Sequence, residues 1–124
     1  MAPMAMPLSE EDMHDLAAYF SAQTAKAGEA AADKVAAGEL IYRGGKAEKG
    51  LVACTACHGP QGDGVVTSGF PTVAGQHAMY VEKQLKDFAA GNRANDPNRM
   101  MRDIASKMTA DEMAAVAQYM QGLH

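Results

Sequence analysis

The stretch from Val52 to Gly62 reads VACTACHGPQG and holds both cysteines of the chain and one of its four histidines. The order Cys54-x-x-Cys57-His58 is the spacing by which a c-type haem is attached. Two thiols one helical turn apart can each add to a haem vinyl group, and the adjacent histidine can turn a ring nitrogen toward the iron. Three other readings compete for these residues. A structural zinc needs four ligands, usually as two pairs, and His14, His77 and His124 are scattered singly. A thioredoxin-like redox pair needs a strand-and-helix context. A disulfide between cysteines this close would shut a very short loop and stabilise little. Haem accounts for the motif best.

The rest of the chain agrees with a small protein built around something other than side chains. At 124 residues it allows one domain with an appendage. Apolar residues make up 48%, but Ala and Met supply most of them, with three Phe, four Tyr and no Trp. A core so poor in large side chains calls for a cofactor or a similar filling. The net charge is -4 with both signs mixed and no basic cluster, which argues against nucleic acid as a partner. No run approaches the roughly 18–20 apolar residues of a membrane span, and the first 30 residues lack the basic start and apolar run of a signal peptide.

The hydrophobic pattern is helical almost throughout, with Gly and Pro as punctuation and no convincing alternating strand. Ser9 and Asp12 open an amphipathic helix on Met13, Leu16, Ala17 and Phe20. A second, with Val35, Gly38 and Tyr42 near one face, ends at Gly44-Gly45. Gly38 sits where a bulky neighbour can approach. A third runs on Ala78, Val81, Leu85 and Phe88 to Gly91. The last opens with the Thr109 and Glu112 capping box and carries Met113, Val116, Ala117 and Met120. Tyr42 and Tyr119 are expected where the first and last helices of the haem unit touch. Gly59 to Gly75 and GNRANDPNRMM read as non-repetitive segments. The run GPQGDG lacks the Lys-Ser/Thr ending of a phosphate loop, and its glycines are expected to let the backbone turn beside a flat cofactor.

Laid over Met108 to Met120, the segment Leu8 to Phe20 matches Met13 with Met113, Ala17 with Ala117 and Tyr19 with Tyr119. Two generic capped helices could agree this far by chance; a tandem repeat is the sharper reading. The same shift sets Met1 opposite Met101.

What fills the iron position opposite His58 decides what the haem can do. Met100 and Met101, in the loop before the last helix, offer a soft thioether. Neighbours on an extended segment point to opposite sides, so one of them reaches the iron. His77 is a ligand only if neither Met binds, and His14 and His124 read as surface residues.

CTACHGPQGDG, GFPTVAGQHAMYVEKQLKDFAAGNRANDPNRMM and AVAQYMQGLH together resemble the second half of cytochrome c4, a two-haem bacterial electron carrier made of two similar class I cytochrome c domains. The resemblance covers essentially the whole chain. It implies an all-α class I cytochrome c fold over residues 29–124, around one covalent haem c held through Cys54 and Cys57. His58 is then the proximal ligand and Met101 the distal one, with the Pro71 carbonyl orienting the His58 ring. Tyr80, Arg93 and Asn95 resemble positions near the haem edge, where Arg and hydroxyl groups suit propionates. Residues 1–28 resemble the closing helix of a preceding haem domain, so they read as its remnant plus linker. The apolar stripe of that helix needs cover, either by folding back or from the same stripe in a homodimer.

Iron held by His and Met leaves no open position for a substrate, which makes the expected function outer-sphere electron transfer with no catalytic residue. The expected partners are redox proteins such as a terminal oxidase or a quinol-oxidising complex, with any membrane-surface association made through them, in a bacterial periplasm. The alternatives are the cytochrome subunit of a dehydrogenase complex and a haem protein whose open distal site binds small ligands.

Overall fold

The structure is a computed structural model and describes residues 1–24, 26 and 28–123. Seven α-helical segments are present among them: α1 (Ala2–Ala5), α2 (Glu10–Ser21), α3 (Ala32–Gly44), α4 (Thr55–His58), α5 (Ala78–Ala90), α6 (Met100–Ala105) and α7 (Ala110–Gln121). Among the described residues there is no strand, and the two isolated antiparallel bridges, Lys46 with Leu51 and Val65 with Phe70, each close a turn. None of the described helices is long and apolar enough to cross a membrane.

The last helix organises the domain. Thr109 accepts a hydrogen bond from the Glu112 backbone while the Glu112 carboxylate accepts from Thr109 N at 2.8 Å, the reciprocal cap the sequence calls for. The stripe of Met113, Val116, Ala117 and Met120 is buried, and α7 packs against both α3 and α5. Gly38 makes the α3 contact possible. A Cβ there would stand 2.7 Å from Tyr119 Cβ and closer still to the Ala115 carbonyl, so the two backbones touch only because that side chain is absent. One turn on, the Tyr42 and Tyr119 rings meet with centroids 5.4 Å apart. Tyr42 and Val116 are the largest side chains that are fully buried, in keeping with a core thin in large residues.

Helices α1 and α2 differ from the rest in burying nothing. Phe20 is 66% exposed and Met13 49%, so the apolar stripe of α2 is not folded back onto the domain. Its geometry nevertheless repeats that of α7. Both are twelve residues long, both open with a capping box, and they lie 100 positions apart. The preceding short helices also end in step, α1 at Ala5 and α6 at Ala105. Tertiary contact with the domain resumes at Gly28, where a Cβ would stand 2.6 Å from Gln121 Cγ. From there Gln121 Nε2 donates to Glu29 O at 2.6 Å and Ala31 N donates to Gln118 Oε1 at 3.0 Å.

Candidate functional site

Helix α4 is a single turn, and its shortness serves its purpose. Cys54 precedes it, Cys57 lies within it and His58 ends it, with His58 N donating to Cys54 O at 2.9 Å. Gly59, at φ 79°, then turns the chain out of the helix in a conformation that L side chains avoid. The end of the turn is pinned from α3, because the buried Tyr42 hydroxyl donates to Gly59 O at 2.7 Å. Burial, followed by the neighbouring Cys54 and Tyr119, pushes the Tyr42 phenol up to about 12, and the phenol remains a donor across the neutral range.

Of the glycines of GPQGDG, Gly59 faces open space, while Gly62 and Gly64 let the loop close on itself. A Cβ on Gly62 would stand 2.9 Å from Ala74 N, and one on Gly64 would stand 2.6 Å from the Pro71 carbonyl carbon. Gly64 N donates back to His58 O at 2.9 Å, and Val73 N donates to Gly62 O at 2.7 Å. This folding brings the Pro71 carbonyl to 2.8 Å from His58 Nδ1. A carbonyl only accepts, so Nδ1 donates its proton there, which leaves Nε2 as the nitrogen available to a partner on an otherwise buried ring.

Met100 and Met101 do not lie on an extended loop. They open α6, where successive residues are about 100° apart around the axis rather than on opposite sides. Met101 packs against the core alongside Ile104, and the fully buried Ala105 lies one turn on from it. The segment that leads in was legible only as turn-forming. It contains Asn98 and Arg99 at φ 52° and 61°, and Asp96, whose carboxylate accepts from Arg102 N at 3.0 Å and from Arg102 Nε at 2.7 Å. Sequence reasoning passed over Asp96, because a contact six positions along leaves no periodic signal. Burial works against its charge, but the bonds from Arg102 outweigh it and hold the carboxyl below its ordinary value.

Arg93 and Asn95 do come together, Nε to Oδ1 at 2.9 Å, while Arg93 Nη1 donates to Gln84 at 2.9 Å and its guanidinium lies 4.5 Å from the centre of the Phe88 ring. Tyr80 is half exposed near the start of α5. His77 caps α5 from an exposed position, His14 lies exposed on α2, and His124 falls outside the described residues.

The donor set fits a haem. Both cysteines are unpaired, so the disulfide reading fails. Among the described residues no three His, Cys, Asp or Glu side chains gather around one point as a bare metal ion requires. Attachment to a macrocycle asks for less: two separate thiols and one histidine with a free ring nitrogen. Burial pushes the Cys54 thiol up to about 11, so it is a protonated thiol at neutral pH.

Comparison with known proteins agrees. The family model described as cytochrome c matches residues 35–124. The chain belongs to the cytochrome c family. It is 49% identical over 118 residues to cytochrome c4 of Pseudomonas aeruginosa, a match that covers 94% of this chain and 59% of that protein. The crystal structure of reduced recombinant cytochrome c4 from Pseudomonas stutzeri superposes with a TM-score of 0.94 at 47% identity, over 98% of this chain and 64% of that one. A thiosulfate dehydrogenase electron acceptor of Stutzerimonas stutzeri is 42% identical, over 96% of this chain and 56% of that protein. The chain therefore spans about three fifths of the length of the curated relatives it matches. As a cytochrome c of class I fold it carries a covalent haem c, attached through Cys54 and Cys57.

Proposed function

We propose that the protein is a one-electron carrier, with His58 as the proximal and Met101 as the distal axial ligand of its haem. The observation that carries this reading is the bond from His58 Nδ1 to Pro71 O, which fixes the tautomer and aims Nε2 away from the loop. When bound, haem c supplies a one-electron couple at its iron. His58 would contribute its Nε2, and its ring cannot rotate without breaking the bond to the Pro71 carbonyl. Met101 contributes a soft thioether, which favours the reduced state and a relatively high potential. With both positions filled by the chain, no group is left to make or break a bond in a substrate, so the protein acts as a carrier and not as an enzyme. Residues 29–124 form the haem unit, and residues 1–28 form a helical arm that repeats the end of that unit. Arg93, Asn95 and Tyr80 would serve the haem propionates.

By its likeness to cytochrome c4, the carrier works in a bacterial periplasm between larger redox proteins, such as a quinol-oxidising complex and a terminal oxidase. The likeness to the thiosulfate dehydrogenase electron acceptor supports a second reading, in which the donor is a dehydrogenase. Potentiometric titration of Met101→Ala and Met100→Ala holoproteins tests the assignment. The Met101 variant should lose potential and bind carbon monoxide when reduced, while the Met100 variant should do neither. The reverse pattern would move the ligand to Met100.

A further inference from the structure

We infer that Asp96 is a positioning residue for the Met101 thioether, an inference that rests on the axial assignment above. Helix α6 has six residues, too few to hold itself in place. It is entered through Asn98 and Arg99, two successive left-handed residues and the only non-glycine residues with positive φ among those described. Asn tolerates that conformation; Arg, with a Cβ and only an exposed ion pair to Asp103 at 3.6 Å to offset it, does so at a cost. Such strain persists only where the surroundings over-determine it.

Asp96 supplies the constraint. Its side chain is 3% exposed, and a carboxylate that deep must be paired. Both of its bonds go to Arg102, one to the backbone N and one to Nε, and Arg102 is the residue next to Met101. The carboxylate therefore clasps the turn across its open side and fixes where α6 starts. On the other side, the fully buried Ala105 fixes how α6 is rotated, and Met101 shares its face one turn earlier. With start and rotation both set, the thioether has one place to stand.

The test compares the holoproteins by the weak far-red band of Met coordination to ferric iron and by carbon monoxide binding to the reduced form. In Asp96→Ala the fraction of iron without its thioether should rise about 10- to 100-fold, the loss expected for bonds to a charged group, and carbon monoxide should bind without denaturant. Asp96→Asn should recover part of this, because its amide oxygen still accepts from Arg102 N. Glu112→Gln breaks a buried ion pair on α7 and should lower stability while leaving both signals unchanged. If Asp96→Ala keeps the band and excludes carbon monoxide, or if Glu112→Gln loses the signals equally, the inference is overturned. Should Asp96→Ala fail to mature, Arg102→Leu removes only the Nε partner and should weaken the band in the same direction; an unchanged band there also overturns it. A band missing from the unsubstituted protein would instead overturn the axial assignment.

Discussion

His58 is held by a carbonyl thirteen residues away, and what closes that distance is glycine. At Gly64, φ 75° and the contact with Pro71 together exclude any side chain, so the loop can fold back only with glycine there. The motif around His58 was legible from spacing alone. The role of Pro71 was legible only through family resemblance, because a loop closure has no periodicity to read. Glu112 illustrates a residue whose sequence signal was half of its role. It was visible as a capping partner, yet it also receives Lys46 Nζ at 2.7 Å and Lys49 Nζ at 2.9 Å. The Lys46 bond first, then the Thr109 backbone and Lys49, bring its carboxyl down from 4.5 to about 2 against the effect of burial. A carboxyl depressed on folding adds stability that is complete above its unfolded value and is lost as pH falls through the folded one. Glu112→Gln is therefore expected to lower stability at neutral pH by about 1.5–3 kcal/mol, and the difference should shrink between pH 4.5 and about 2. Denaturant unfolding of both proteins across that range measures it.

At the scale of elements, α3, α5 and α7 were readable because each is long enough to show a buried stripe and each ends at a glycine or begins at a cap. Helix α6 was not. Six residues give less than two turns, and its start is set by left-handed backbone and a carboxylate on the far side of the turn, neither of which a propensity or a period encodes. The α3–α7 crossing makes a direct prediction at Gly38. Alanine there gains about 1 kcal/mol of helix propensity, but its Cβ meets the Ala115 backbone, which cannot rotate away as a side chain tip would. Overpacking of this kind costs typically about 1–3 kcal/mol and more where backbones must part. Gly38→Ala should thus destabilise the holoprotein despite its better helix propensity, and thermal unfolding with the haem attached would show the lowered midpoint.

Across the whole molecule the two ends of the chain present the same local design in different surroundings. Helix α7 buries its stripe against α3 and α5, while α2, with an equivalent cap and length, leaves Met13, Leu16 and Phe20 exposed. The charge is divided in the same way. Residues 1–28 contain Glu10, Glu11, Asp12 and Asp15 against Lys26 alone, a net of -3, so most of the chain's -4 resides in that arm and the haem unit carries only -1. The repeat was visible in the sequence as matched residues, but burial depends on what lies alongside, which a repeat does not specify. On the proposed assignment, what unites the unit from residue 29 onward is a site in which α3 pins Gly59, the loop orients His58 and α6 carries Met101.

The visible absorption spectrum of the holoprotein, oxidised and then reduced, tests that account most directly. It should show c-type haem bands in both states and, in the oxidised protein, the weak far-red band of a methionine bound to ferric iron. Haem bands without the far-red feature would contradict the His58 and Met101 ligation, and a colourless protein from a host able to attach haem would contradict the site altogether.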